Sequence, residues 1–268
     1  MIKSTFGLKD TPFYRDNFEL LPQQKEAFNH LKIHSQHGGF SAIVGEPGVG
    51  KSVLKEHLEA LAKERTNVIA SVSRTMHTYW NILNQLAISL KLDVKTAKLE
   101  QALIESAYKH VKNNKTLYVL IDEAHLLDMA TLRKLRLLFD KFPKKYNLVL
   151  FGQIELMHYL SMSINEDLKS RITYSKHIVR LNDEYLAAYI IRELEAVRLG
   201  LNVFDEAAME LILRSSQGNL RLCRNLCYAS LAACCHNQKR VVLISHVNEV
   251  LIQPHWRSHD ELIKQQIA

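Results

Sequence analysis

Short apolar runs alternate with longer segments of helical periodicity over the first two thirds of the chain. The runs lie at residues 40–45, 67–73, 117–122, 147–152 and 177–181. Each is nearly continuous in apolar and β-branched residues, which predicts strands that are covered on both faces. Between them, segments such as "KSVLKEHLEALAKE" repeat apolar residues at a spacing of three or four, which predicts amphipathic helices. The pattern indicates an α/β fold with a parallel, five-stranded sheet flanked by helices.

The apolar runs stop near residue 182, and only helical periodicity follows, as in "EYLAAYIIRELEAVRLG" and "NLRLCRNLCYASLAACC". This change predicts a second, all-helical domain. We therefore expect a sheet domain over residues 1–181, a small helical lid domain over residues 182–253 and a C-terminal tail over residues 254–268.

Composition limits the classes of protein to which the chain can belong. Its 268 residues are 47% hydrophobic and 24% charged, as in soluble globular proteins. No apolar stretch approaches the roughly 20 residues that span a bilayer, and the start "MIKSTFGLKDTPFYRD" lacks the apolar middle of a signal peptide. We expect a cytoplasmic protein with no membrane partner. The formal charge of +7 permits a polyanionic partner without requiring one.

All four cysteines fall in one helical segment, at Cys223, Cys227, Cys234 and Cys235. Two of them, four residues apart, share a helix face, so a zinc site is conceivable. The paired C-x-x-C spacing of such sites is missing, and free cysteine packs as a small apolar residue. The sequence favours cysteines that are part of the core.

A glycine-rich turn follows the first predicted strand and precedes a predicted helix. In "GEPGVGKS" the residues Gly45, Gly50, Lys51 and Ser52 satisfy the pattern G-x-x-x-x-G-K-[ST], whose backbone N–H groups and lysine hold nucleotide phosphates. The predicted nucleotide site consists of Gly45, Glu46, Pro47, Gly48, Val49, Gly50, Lys51, Ser52 and Val53. The pattern predicts bound ATP with Mg²⁺, and Ser52 is a candidate magnesium ligand.

The third apolar run ends in two carboxylates, Asp122 and Glu123, in "LYVLIDEAH". At the end of a strand downstream of a phosphate loop, Asp122 is a candidate ligand of Mg²⁺ together with Ser52, and Glu123 is a candidate catalytic base for water. Two solvated acids at a strand end are the other interpretation. The phosphate loop favours the catalytic one, in which the chain hydrolyses ATP to ADP and phosphate.

Three further polar residues occupy positions from which they can reach a nucleotide. Gln153 follows the fourth apolar run, at the edge of the sheet where ligands bind in open α/β folds. Arg171 precedes the last run, and Arg221 begins a helix of the second domain. An arginine binds phosphate oxygens in pairs. The alternatives are a helix cap for the glutamine and a surface position for each arginine.

Taken in order, these motifs resemble the AAA+ ATPases, and within them the ExeA-type secretion ATPases and the transposition helper ATPases such as TniB and TnsC. The resemblance covers nearly the whole chain, from "FGLKDTPF" through "GEPGVGKS", "LIDEAHLL" and "LKSRI" to "GNLRLCRNL". It implies a P-loop AAA+ sheet followed by a helical lid. By position, it implies that Gln153 is sensor 1, Arg171 an arginine finger for a neighbouring subunit and Arg221 sensor 2. It also implies that Phe13 lies beside the adenine, and hydrophobic packing is the other interpretation of this residue.

The resemblance also implies a biological role. ExeA-type proteins continue into a membrane span and a periplasmic region, whereas this sequence stops at Ala268, and its ending resembles ATPases of insertion sequences. We expect a transposition helper: a homo-oligomeric ring or spiral that binds double-stranded DNA and recruits or activates a transposase. An ATPase that assembles secretion or pilus machinery is the alternative. The residues expected to contact DNA are Arg74, Thr75, Lys95 and Lys98.

A second basic group follows Glu123, on one predicted helix and the turn behind it. It comprises Arg133, Lys134, Arg136, Lys141, Lys144 and Lys145. A solvated helix face is the better interpretation for most of these residues, and a second DNA surface is the alternative.

Overall fold

A computed structural model describes residues 1–14, 19–72, 78–93 and 98–256. The described chain divides into two compact units. One extends from Glu19 to Val179, and the other combines the N-terminal segment, residues 1–14, with the chain from Arg180 onward. Among the described residues, no helix is both long enough and apolar enough to cross a membrane.

The first unit contains a five-stranded parallel sheet. Its strands are β1 (Gly39–Gly45), β2 (Asn67–Val72), β3 (Thr116–Ile121), β4 (Tyr146–Gly152) and β5 (Ile172–Ile178). They are ordered β2-β3-β4-β1-β5, and every pair is parallel. Because the strands are parallel, the carboxyl ends of β1, β3 and β4 lie at one edge of the sheet. This confirms the predicted α/β fold with a parallel, five-stranded sheet flanked by helices.

The fifth strand differs from its predicted position at residues 177–181. β5 begins at Ile172 and ends at Ile178. Polar residues alternate along it, and Thr173, Ser175 and His177 are exposed. Because β5 is half-exposed, it has no continuous apolar run, and the predicted run includes only its last residues.

Helices surround the sheet and form the second unit. In chain order they are α1 (Ile2–Phe6), α2 (Pro22–His34), α3 (Lys51–Ala60), α4 (Tyr79–Ser89), α5 (Leu99–Lys112), α6 (Met129–Phe139), α7 (Ile154–Ser161), α8 (Glu166–Lys169), α9 (Asp183–Ala196), α10 (Glu206–Ser216), α11 (Leu220–His236) and α12 (Ile244–Leu251). Short 3₁₀ turns lie at Leu61–Lys63, Ala124–Leu126, Ser163–Asn165, Leu201–Val203 and Pro254–Trp256.

The two faces of the sheet have separate apolar cores. Along β1, Ala42 and Val44 belong to the core beneath α4, α5 and α6, whereas Ile43 belongs to the core beneath α2 and α3. This is the period of two that a strand imposes on its side chains. Leu54 and Leu58 of α3, one turn apart, are fully buried in the second core. The apolar face of α3 therefore fixes the helix that follows the phosphate loop.

The second unit is helical and has its own core, formed by α9, α10, α11 and α12. The N-terminal segment belongs to this core, since Ile2 and Phe13 are buried in it, and the Phe13 and Tyr189 ring centroids are 6.4 Å apart. The expectation that the sheet domain includes the first residues is therefore wrong for residues 1–14. Their apolar side chains are buried among helices, and no residue among them joins the sheet.

The four cysteines lie on α11, and all are buried and free of disulfides. Cys223 and Cys227 belong to the core of the helical unit with Leu226 and Leu231, which confirms the interpretation as core residues. Trp256, in the predicted tail, packs against the same core.

Candidate nucleotide-binding site

The phosphate loop occupies the connection between β1 and α3. β1 ends at Gly45 and α3 begins at Lys51, the strand–loop–helix context that the motif requires. Gly50 takes φ 97°, a left-handed conformation, immediately before the helix. Only glycine adopts this conformation without strain. α3 begins directly after the loop, and the first N–H groups of a helix can bind an anion.

Lys51 folds over the loop. Its Nζ donates to the carbonyl oxygens of Gly45 at 2.8 Å and Glu46 at 2.9 Å. These two bonds hold the ammonium group across the loop, where it can also meet phosphate oxygens. Ser52 lies in the first turn of α3 and is exposed. The loop is also held by α2, because the buried Gln24 side chain donates to the carbonyl oxygen of Gly50 at 3.2 Å.

Asp122 follows β3 directly, and both of its carboxylate oxygens have partners. Oδ1 accepts the N–H of Glu123 at 2.9 Å, and Oδ2 lies 3.2 Å from Nζ of Lys55 on α3. The Lys55 side chain is only 8% exposed. The carboxylate of Asp122 and the hydroxyl of Ser52 are oxygen donors of the kind that Mg²⁺ prefers. These residues fit a magnesium–nucleotide complex, with Lys55 as an additional fixed cation beside the carboxylate.

Glu123, His125 and Gln153 form a polar group at the ends of the adjacent strands β3 and β4. His125 Nδ1 lies 3.5 Å from Oε2 of Glu123 and 3.3 Å from the backbone nitrogen of Gln153. His125 Nε2 lies 3.0 Å from Nε2 of Gln153. Glu123 has φ 52° and a side chain that is 43% exposed. Such left-handed backbone is uncommon for a non-glycine residue and is concentrated at functional sites.

Arg171 lies between α8 and β5, and its side chain is 53% exposed. It donates to Oδ2 of Asp140, at the end of α6, at 3.3 Å. Arg136 shares the same carboxylate, and its Nη1 lies 2.8 Å from Asp167. The candidate finger is thus exposed and held by an ion pair within its own chain.

Two of the predicted nucleotide residues belong to the helical unit. Arg221 lies in the first turn of α11 and is exposed. Phe13 is fully buried and packs within the core of that unit. Its packing accounts for the residue without a ligand, and the adenine contact stays a prediction, as does the role of Arg221.

The predicted DNA contacts are only partly within the described chain. Lys98, just before α5, is exposed, whereas Arg74, Thr75 and Lys95 lie outside the described residues. In the second basic group, Arg133 donates to Asn165 at 2.8 Å. Arg136 of the same group is likewise engaged, through its ion pairs with Asp140 and Asp167. These two arginines fasten α6 to the neighbouring segment, which argues against their use as a second DNA surface.

Sequence reasoning missed three residues of the site: Gln24, Lys55 and His125. Each touches a residue of a motif from a position that the motif does not include. Lys55 lies four residues after Lys51, a spacing that puts it on the same side of α3. That spacing was the only available signal, and it does not distinguish a buried ion pair from a solvated lysine.

The site can be compared with known proteins. The model of the AAA domain family matches residues 31–160. General secretion pathway protein A of Aeromonas hydrophila is 29% identical over 245 residues, and the alignment covers 87% of this chain and 45% of that protein. This chain therefore spans less than half the length of that relative.

Solved structures show the same fold. The ORC2 protein of Aeropyrum pernix superimposes with a TM-score of 0.74 at 18% identity, covering 95% of this chain and 74% of that one. Cdc6p of Pyrobaculum aerophilum gives a TM-score of 0.70 at 18% identity, covering 97% and 73%. At these identities the likeness establishes the fold.

Proposed function

We propose that this chain, an AAA+ ATPase by its fold and its AAA domain, is an oligomerising, ATP-dependent switch that assembles secretion or pilus machinery. The observation that carries the proposal is the 29% identity to general secretion pathway protein A across 245 residues. This similarity supports the secretion role more strongly than the transposition role that the sequence favoured. We place the switch in the cytoplasm, where ATP is supplied.

We assign the chemical roles as follows. Lys51 and the backbone N–H groups of the loop hold the phosphates, and Ser52 and Asp122 hold Mg²⁺, which neutralises charge on the phosphate oxygens when bound. Glu123 accepts a proton from the attacking water, and its exposed carboxylate at the strand end supports this role. Gln153 orients the water or contacts the γ-phosphate.

Arg171 completes the site of a neighbouring subunit in this proposal. Its exposure and its position before β5 support a role outside its own chain. Arg171→Ala should be inactive alone, and so should Lys51→Ala. Mixing the two variants should restore turnover at interfaces where an intact loop meets an intact arginine. Strictly additive activities in the mixture would assign Arg171 to its own subunit.

Arg221 as sensor 2 and Phe13 beside the adenine complete the proposed nucleotide contacts.

The secretion role is tested in cells that lack the chain. We expect secreted or pilus proteins to be retained in the deletion strain, and the wild-type chain to restore their export. A Lys51→Ala chain should not restore it, because nucleotide binding is lost. Normal export in the deletion strain would contradict the secretion role.

The second candidate is a transposition helper that binds double-stranded DNA and recruits a transposase. The net charge of +7 and the exposed Lys98 favour it. It predicts DNA binding with a non-hydrolysable ATP analogue and much weaker binding with ADP, because assembly sums many weak phosphate contacts. A mobility assay across a salt series measures this. Binding should fall steeply with salt and vary little among DNA sequences.

Two triple variants decide whether the expected residues bind DNA. Alanine at Arg74, Lys95 and Lys98 should weaken binding uniformly and flatten the salt slope. The control removes the same charge from three exposed lysines of the same unit, Lys25, Lys32 and Lys63. Equal losses in both variants would indicate general charge attraction. No ATP-dependent binding at low salt would remove the transposition candidate.

A further inference from the structure

His125 lies between the two polar side chains to which we assign roles in hydrolysis. It is part of the 3₁₀ turn Ala124–Leu126 after β3, and its side chain is only 10% exposed. One ring nitrogen faces the carboxylate of Glu123, and the other faces the side-chain amide of Gln153. We propose that His125 is a positioning residue that couples the orientation of the Gln153 amide to that of the Glu123 carboxylate. The inference rests on the ATPase site proposed above.

The coupling follows from the number of hydrogen bonds that the imidazole of His125 can donate and accept. A neutral imidazole has one N–H donor and one acceptor nitrogen. Nδ1 lies near both the carboxylate of Glu123, which only accepts, and the backbone N–H of Gln153, which only donates. Nδ1 therefore serves one of these two partners at a time, and the choice fixes the role of Nε2.

Two hydrogen-bonding arrangements of His125 use one donor and one acceptor nitrogen. In the holding arrangement, Nδ1–H donates to Glu123, and Nε2 accepts an N–H from the side-chain amide of Gln153. In the releasing arrangement, Nδ1 accepts the backbone N–H of Gln153, and Nε2–H donates to the side-chain oxygen of Gln153. Only the holding arrangement binds the carboxylate of Glu123.

The orientation of the Gln153 amide selects between them. An amide whose N–H group turns toward a phosphate oxygen presents its carbonyl oxygen on the other side. If that side faces His125, Nε2 must carry the proton. The partly exposed imidazole then gives its Nδ1 proton to water and takes a proton from water at Nε2, and the histidine releases Glu123 to receive a proton from the attacking water. A phosphate contact at Gln153 would thus remove the hydrogen bond from His125 to the carboxylate of Glu123.

The backbone holds the three residues close enough for this coupling. A Cβ added at Gly152, at the end of β4, would lie 3.3 Å from the backbone nitrogen of His125 and 2.9 Å from a methyl group of Leu156. The missing side chain lets the turn that carries His125 close on β4. On the other side, the bond from the Glu123 N–H to Asp122 fixes the start of the turn.

The test compares three substitutions of His125. Alanine removes the contacts of both ring nitrogens, asparagine can replace Nδ1 and glutamine can replace Nε2. We expect the turnover of His125→Ala at saturating ATP to fall about 10- to 100-fold through misplacement of Glu123, with smaller losses for the Asn and Gln variants. The Kd of a fluorescent ATP analogue should stay within about twofold, because the phosphate loop is untouched. His158→Ala, an exposed histidine on α7, is the control and should behave as wild type.

A double variant tests the coupling itself. If His125 acts through Gln153, then adding His125→Ala to Gln153→Ala should slow turnover by little beyond the slower single variant. Independent residues would instead multiply their effects. Multiplied losses, or turnover of His125→Ala within twofold of wild type, would overturn the inference. So would a loss shared equally by the Ala, Asn and Gln variants together with a fall in Tm, since that indicates a structural role.

Glu123→Gln, measured in parallel, separates this inference from the proposed function. Normal turnover in Glu123→Gln would remove the assigned base, and with it the basis for a coupling. A loss of turnover in Glu123→Gln with normal turnover in His125→Ala would keep the ATPase site and reject only the role of His125.

Discussion

Lys55 offers a quantitative test of how the carboxylate of Asp122, the proposed magnesium ligand, is held. Its ammonium group lies 3.2 Å from Asp122 and 3.7 Å from Glu59, and the Lys55 and Asp122 side chains are 8% and 16% exposed. Glu59 in turn accepts the hydroxyl hydrogen of Ser71 at 2.6 Å. These contacts therefore connect α3 to the ends of β2 and β3. Lys55→Met keeps the apolar stem of the side chain and removes only the charge.

The magnitude follows from distance and burial. At an effective dielectric constant of about 20, charges 3.2 Å apart attract by about 5 kcal/mol. Desolvation offsets part of this attraction, and removing one partner of a fully buried pair costs about 3–5 kcal/mol. Asp122 keeps its bond from the N–H of Glu123 and some contact with water, so we expect a loss of about 2–3 kcal/mol in the free energy of unfolding.

Urea unfolding at neutral pH measures this loss. Lys63→Met makes the same chemical change at an exposed position and should alter stability by less than about 0.5 kcal/mol. Combining Lys55→Met with Asp122→Asn should cost less than the sum of the two single losses, because the second change removes a charge that has already lost its partner. Equal effects of Lys55→Met and Lys63→Met, or additive losses in the double variant, would refute the reasoning.

Three further predictions concern stability and reactivity. Gly45→Ala should destabilise the protein by about 1–3 kcal/mol in urea unfolding, because the added Cβ would lie 2.4 Å from a carbonyl oxygen of β5. Gly200→Ala is the control and should be close to neutral, since its added Cβ would have no atom within 4 Å. Asp128→Ala should cost about 1 kcal/mol, since Asp128 caps α6 by accepting the N–H of Thr131. Hydrogen bonds from the side chain and backbone of Thr131 lower the pKa of Asp128. The cap should therefore stabilise the protein at pH values above the carboxyl pKa of the unfolded chain. This contribution should be lost as the pH falls through the folded-state pKa. Burial raises the pKa of the Cys227 thiol, so a thiol reagent should react with it only on unfolding.

The sequence predicted the central strands and the phosphate loop because both are encoded locally. β1, β3 and β4, the interior strands of the sheet, lie within one residue of the predicted runs, since a strand covered on both faces must be apolar throughout. The phosphate loop is likewise specified by its own residues: Gly50 permits the left-handed turn into α3.

The parts that could not be predicted depend on contacts between distant positions. His125 meets Gln153, 28 residues away, and Lys55 meets Asp122, 67 residues away. Both contacts follow from the order of the strands, which hydrophobic periodicity does not encode. The same holds for Phe13, whose apolar character predicts burial but not the core in which it is buried.

Nucleotide binding and hydrolysis in Glu123→Gln test the central claim most directly. That claim is that the phosphate loop binds ATP while the carboxylate at the end of β3 activates water. We predict that Glu123→Gln binds a fluorescent ATP analogue with a Kd within about threefold of wild type, while turnover at saturating ATP falls by about 100-fold or more. Lys51→Ala, measured alongside, should lose binding itself, because its ammonium group no longer meets the phosphates. Turnover in Glu123→Gln within a few-fold of wild type would contradict the account.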